Sequence, residues 1–329
     1  MLPLPATFKG GFRRHATHPP LRKIDFLLSR ARITNLGFLI LASVCCLSLL
    51  INLSFYLARP PSFEVYDARR HPARLLDTVA RDPVVRNLTH LIMVPGHAIW
   101  KGSDPSMRME DDEWVLEPFQ RGGESVNAFF EHIRQGAEYA RNEADSLLVF
   151  SGGQTRPSSP STEADSYLRL AIAASLLPLH FNRATTENYA LDSYQNLLFS
   201  IARFHEYVGR YPTYITVVGF EMKRKRFVEL HRKALRWPED KFEYIGVDME
   251  GDGEIAREGE RQNALLPYMS DLYGCHPPLS SKRRGRNPFS RFHSYYTSSP
   301  EIGGLLDWCP DKVGSGESTR VYRGLLPWD

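Results

Sequence analysis

Cysteine is scarce: four residues in a chain of 329. Two of them, Cys45 and Cys46, lie inside a single apolar run, where a small apolar residue is the ordinary role. Neither that pair nor Cys275 and Cys309 has the spacing of zinc ligands, so no metal is expected. A nucleic-acid partner is not expected either, because the net charge is only +3. Much of that excess sits before residue 36, leaving a nearly neutral folded part. There is no G-x-G-x-x-G at a strand–helix turn, no G-x-S-x-G elbow and no internal repeat, which removes the standard dinucleotide and α/β-hydrolase signatures. Apolar residues make up 42% and charged residues 24%, an ordinary balance that excludes global disorder.

One stretch contains no charge at all. Residues 36–58 are almost wholly apolar, interrupted only by Ser43, Ser48, Asn52 and Ser54. About 20 such residues span a hydrocarbon core of roughly 30 Å. About 35 residues precede the run, and it is longer than the h-region of a signal peptide, so an uncleaved anchor is expected. Lys9, Arg13, Arg14, Arg22, Lys23, Arg30 and Arg32 precede it against one acid, Asp25, whereas a mixed set follows. Basic flanks stay cytosolic. That predicts a single-pass type II protein of the secretory pathway, Golgi or endoplasmic reticulum, with the bilayer as its first partner. The alternative is a mitochondrial membrane, since residues 1–24 hold Arg and no acid, but Pro3, Pro5, Pro19 and Pro20 oppose a presequence helix. Asn87-Leu88-Thr89 is a glycosylation sequon on the predicted lumenal side.

The expected organisation is a basic tail (1–35), a transmembrane helix (36–58), a stem (59–88), an α/β domain (89–250) and a largely irregular C-terminal extension (251–329). Strand patterns at 91–96, 146–153, 181–184, 213–220 and 241–248 alternate with helical patterns at 125–142, from Thr162, at about 188–210 and at 223–235. Residues 101–122 read as an excursion loop. Such alternation implies a Rossmann-like, mostly parallel sheet with helices on both faces. A further helix is expected at 253–266. The basic run at 282–286 reads as a solvated loop.

In such sheets ligands bind beyond the carboxyl ends of the strands. Four segments fall there. Gly96 and His97 follow the first strand, and Ser151, Gly152, Gly153 and Gln154 the second. Thr185, Thr186, Glu187 and Asn188 open the long helix. Lys223, Arg224, Lys225 and Arg226 follow the strand at 213–220. The glycines could offer N–H groups to an anion, and the cations could neutralise it. His97 is the best titrating candidate, with Glu163 and Glu187 as first-turn carboxylates.

The order V-P-G-H (94–97), S-G-G (151–153), T-E-A (162–164), T-T-E-N-Y-A-x-D-S (185–193) and K-R-K-R-F (223–227) resembles the domain family of bacterial SanA, ElyC and YdcF. The resemblance is greatest to its eukaryotic, membrane-anchored, fungal branch, and covers 91–248. It implies a Rossmann-like fold, a polar pocket at the strand ends and S-adenosylmethionine as a ligand of at least one member. One departure stands out. The bacterial form usually has His then Arg after the fourth core strand, where this chain has Glu221 or Met222 and then Arg224 or Lys225.

Two functions follow. One is a membrane-anchored site for a small anionic or nucleotide-like ligand, enzymatic in character, with His97, Glu163 and Glu187 as catalytic candidates. Its ligand would be held by Gly96, Ser151, Gly152, Gly153, Gln154, Thr186, Asn188, Lys223 and Arg224. The alternative is a non-catalytic binding or scaffold protein of the membrane.

Overall fold

The computed structural model describes residues 30–57, 78–122, 125–247, 253–311 and 318–329. The tail at 1–29 and the stem residues 58–77 lie outside that set. Two compact units are present, Met1–Tyr66 and Asp67–Asp329.

In the first unit, helix α1 (Arg30–Leu57) contains Asn35–Phe55, 21 residues of mean hydropathy 2.4 with none buried. At 1.5 Å per residue that segment matches the thickness of a bilayer core. Its apolar side chains point in all directions, as a lipid-facing helix requires. Two of its polar side chains bond back within the helix: Ser43 Oγ donates to the Leu39 carbonyl and Asn52 Nδ2 to that of Ser48, each at 2.8 Å. Among the described residues, one helix, near the N-terminus, has membrane-spanning length and composition.

The second unit runs α2 (Pro83–Arg86), β1 (His90–Pro95), β2 (Ile99–Trp100), β3 (Trp114–Val115), α3 (Ser125–Asn142), β4 (Ser146–Ser151), α4 (Glu163–Ala173), β5 (Ala184–Glu187), α5 (Ser193–Val208) and β6 (Tyr214–Phe220). A 3-10 turn (Glu221–Lys223), a π-helical segment (Arg226–His231) and α6 (Arg232–Ala234) lead to β7 (Phe242–Val247). The sheet order is β5-β4-β1-β6-β7, every neighbour parallel. Residues alternate between the faces. Leu91, Met93, Leu147, Val149, Ile215 and Val217 pack against α5, whereas Ile92, Val94, Leu148, Phe150 and Val218 pack against α3 and α4. Strands covered on both sides need continuous apolar runs, which these have. The α/β fold with helices on both faces is as expected. Chain order reverses between β1 and β6, so their carboxyl ends form the crevice where such sheets place ligands.

Three local features differ from the sequence expectation. Residues 101–122 are not simply a loop: β2 and β3 form an antiparallel ribbon in which buried Trp100 and Trp114 pair. Thr185, Thr186 and Glu187 belong to β5 itself, as their β-branched pair favours. The helix starts later, at Ser193, because Asp192 is its N-cap and accepts from Gln195 N–H at 2.9 Å.

Beyond β7 come α7 (Glu254–Glu260), a π-helical segment (Arg261–Leu265), α8 (Leu266–Ser270), α9 (Leu279–Gly285), α10 (Tyr295–Ser298) and α11 (Gly303–Leu306). Tyr268, Tyr273, Tyr295, Ile302 and Leu305 bury themselves on the α5 face of the sheet. Most of these helices span only a turn or two, so packing holds them rather than periodicity, and periodicity could not reveal them. The basic run at 282–286 is correspondingly not a free loop. It lies in and just after α9, where Arg283 pairs with Asp192 at 2.6 Å and Arg286 donates to the Leu191 carbonyl at 3.1 Å.

Candidate functional site at the strand switch point

The loop after β1 is built by its neighbours. The main-chain N–H of His97 donates to Tyr167 Oη at 3.2 Å, and its carbonyl accepts from Gln120 Nε2 at 3.0 Å. These bonds set the imidazole against Phe220 at the end of β6, with ring centroids 5.1 Å apart. Lys223, one turn further, brings Nζ to 3.3 Å from His97 Nδ1. His97 and Lys223 therefore meet across the β1–β6 crevice, both half-buried. Burial, and then the Arg226 charge, push the Lys223 ammonium down to about 7. Burial and then the Lys223 charge hold the His97 imidazolium well below its ordinary range. At neutral pH the imidazole is uncharged, and accepts from Lys223.

More cations surround this pair. Arg226 is buried and lies 3.0 Å from Glu260, itself half-buried. Arg226 and Arg286 both depress Lys223 and His97, and the same two cations depress Lys282. Glu260 and Glu163 oppose them on Lys223. Lys223 and Arg226 therefore face Glu260 and Glu163, with the charge of exposed Arg286 added to theirs, and the balance at Lys223 is positive. Adjacent to His97, the buried ring of His132 stands edge-on to Phe220 at 4.6 Å, with no hydrogen-bond partner on either nitrogen.

The glycine turns have a different task from the one expected. Gly96 N–H donates to the Ser151 carbonyl at 2.6 Å, Gly152 N–H to that of Glu187 at 2.9 Å and Gly153 N–H to that of Ala190 at 2.7 Å. These amides hold loop to loop and are not aimed at an anion. Glycine is required at 96 and 152 because Glu163 lies against both. A Cβ at Gly96 would come within 2.5 Å of Glu163 Cβ, and one at Gly152 within 2.8 Å. Glu163 is buried and its Oε1 accepts from Thr155 Oγ1 at 2.5 Å.

Glu187 and Ser151 belong to a separate buried network. The Glu187 carboxylate accepts from Ser151 Oγ (2.8 Å), Tyr189 N–H (2.8 Å), Ala190 N–H (3.2 Å) and Tyr295 Oη (3.0 Å). Burial nevertheless pushes its carboxyl up to about 7. Thr186 Oγ1 accepts from Asn188 Nδ2, and Asn188 Oδ1 from Thr162 Oγ1, the N-cap of α4. Gln154 Nε2 donates to the Pro160 carbonyl at 2.9 Å. Arg224 turns away from His97, paired through two nitrogens with Glu221 at 2.6 and 2.7 Å and bound to the Tyr244 carbonyl. Asn87 is exposed at the end of α2.

Of the sequence candidates, His97, Lys223 and Glu163 are thus brought together, whereas Arg224 and the Glu187 group stand apart. Arg226 was named only as one of the four cations after the strand at 213–220, whereas Lys282, Arg286 and His132 were missed, because their placement depends on tertiary packing. At the opposite sheet edge His90, Glu143 and Asp145 hold donor atoms within 4.8 Å of one another. Thr216 and Thr89 already engage two of those side chains. A hollow of about 460 Å³ runs along exposed α7, by Glu254, Arg257 and Arg261, outside the strand-end loops.

No family model matches the chain, and no solved structure does. A protein of Saccharomyces cerevisiae, described as "Uncharacterized protein YOR238W", is 31% identical over 259 residues, spanning 62% of this chain and 86% of the yeast protein.

Proposed function

The chain belongs to the family of the yeast protein YOR238W, and from that premise we propose that it is a membrane-anchored α/β protein binding a small anionic ligand in the β1–β6 crevice. The observation that carries this reading is the contact of Lys223 with His97 at 3.3 Å, with the Arg226 charge acting on both, at the reversal of strand order. A phosphate- or carboxylate-bearing ligand, nucleotides included, would raise the Lys223 pKa and relieve the repulsion from Arg226. His97 would accept or hand on a proton beside it. The resemblance to the SanA, ElyC and YdcF family supports the location of the site at the strand ends. A cationic site of this kind fits S-adenosylmethionine poorly, since its sulfonium is positive.

Titrating the full-length protein in detergent micelles with inorganic phosphate and with AMP, by calorimetry, tests the reading. Binding should weaken by more than about tenfold in Lys223→Met, the loss of a charge-assisted hydrogen bond. Equal binding by both proteins would overturn it.

Basic residues before α1 favour a cytosolic N-terminus and a lumenal catalytic-looking unit in the Golgi or endoplasmic reticulum, against a mitochondrial membrane. A glycosidase-sensitive mobility shift that disappears in Asn87→Gln is the expected result; no shift in the parent protein counts against a lumenal domain. The Glu187 carboxylate, which already has four donors, is the weakest of the three catalytic candidates in this reading.

A further inference from the structure

Ser193 is the first residue of α5, directly after its N-cap Asp192, on the loop leaving β5. Its hydroxyl oxygen lies 2.8 Å from Nε2 of His231. The serine is half-buried and the histidine wholly so. The hydroxyl can thus meet a ligand while the imidazole sits behind it, among the rings of Phe227 and Tyr268. This is the spacing of a nucleophile and its general base. The pair adjoins the anion site. Arg286 binds the Leu191 carbonyl two residues before Ser193, and the charge of Arg226 is felt by both His231 and His97.

A purely structural serine–histidine contact would be expected to satisfy both ring nitrogens. Here Nδ1 of His231, although buried, has no partner among the described residues, which costs about 1–3 kcal/mol. An apolar residue would escape that cost. Burial and then the Arg226 charge keep the imidazole neutral. Nε2 faces the Ser193 hydroxyl and can take its proton, and the Asp192 carboxylate, paired with Arg283 at 2.6 Å, favours the imidazolium against the charges of Arg226 and Arg283.

We propose that Ser193 is a nucleophile and His231 its general base, in a centre that cleaves a carboxylic ester bearing an anionic group. The class of substrate rests on the anion site described above. Ser193 Oγ bonds to the acyl carbon as its proton passes to His231 Nε2. The ester C–O bond then breaks, and the leaving alkoxide takes that proton. Water repeats the exchange, releasing the acid and restoring the serine.

The test is labelling of the full-length protein in micelles by a fluorophosphonate. The Ser193 oxygen displaces fluoride from phosphorus, and peptide mass spectrometry reads the adduct. Labelling should fall on Ser193, vanish in Ser193→Ala, and slow by about 100-fold in His231→Phe, the loss of a general base. Because His231→Phe could fail to fold, its thermal transition is measured alongside, and Ser193→Ala provides a variant that leaves the core intact. No adduct at Ser193 in the folded protein, or an unchanged rate in folded His231→Phe, overturns the proposal. Phosphate titration of the parent protein separates the two ideas: binding without labelling removes the dyad alone, and no binding removes the anion site.

Discussion

Two rims of the same sheet edge invite comparison. At β5 the Glu187 carboxylate is buried and meets four donors; at the β1–β6 crevice Lys223 and Arg226 are crowded by further cations and only partly answered by Glu260 and Glu163. The sequence shows charged and polar residues at both. What separates them is satisfaction. A network in which each polar group has its partner holds the chain together, whereas a surplus of one charge is a cost that a ligand of opposite sign would relieve. The Glu187 network ties Tyr295 of the C-terminal segment to the sheet, and the crevice is where the proposed ligand would sit.

The largest effect should come from breaking the satisfied rim. Glu187→Ala leaves Ser151 Oγ, Tyr295 Oη and two main-chain N–H groups without their acceptor in a dry interior. Several kcal/mol of stability should be lost, on the order of 3–5, at about 1–3 per orphaned group with partial relaxation. Denaturant unfolding measures this. A loss under 1 kcal/mol would show that water or rearrangement serves the donors as well as the carboxylate does.

Much of this was legible in advance. The strands are apolar runs buried on both faces, and such runs declare themselves without tertiary information. So does the absence of charge through residues 36–58. Gly96 and Gly152 also stood out as turn residues, but their reason did not: only the fold shows that Glu163 fills the space a Cβ would need. Arg286 and His231 were invisible as site residues for the same reason, since they are brought to the strand ends by packing. Placing the helix start at 188 rather than 193 had a local cause. Thr185-Thr186-Glu187 has capping residues, but Asp192 has the carboxylate that reaches Gln195.

A second test sharpens the comparison through pH, because the two rims tilt stability oppositely. Glu187 has its carboxyl raised to about 7 from 4.5. Its contribution is fully present below about 4.5 and is lost as pH rises through about 7. Lys223 is lowered to about 7 from 10.5. Its contribution is present above about 10.5 and is lost as pH falls through about 7. Stability should therefore decline from acid toward neutrality and recover toward alkali, as far as these two groups decide it. Glu187→Gln should flatten the acid limb and Lys223→Met the alkaline one, in unfolding curves collected across that range. An alkaline limb unchanged in Lys223→Met would mean that Lys223 is solvated and holds its proton normally.

The smallest effect should belong to Arg224, the cation the sequence put forward and the fold turns aside. Its side chain is 44% exposed and pairs with a Glu221 that is 37% exposed, so the pair contributes about 0.2–1 kcal/mol. Its other bond, to the Tyr244 carbonyl, anchors it along β7 and away from His97. Arg224→Ala should therefore cost little stability and leave the phosphate affinity within about twofold, while Lys223→Met in the same titration loses more than about tenfold. The contrast matters because the two cations are adjacent in sequence, and a general loss of positive charge would weaken binding similarly at either position. If Arg224→Ala proved as damaging as Lys223→Met, the ligand would be held by the diffuse field of the whole segment, and the His97–Lys223 contact would lose its special place.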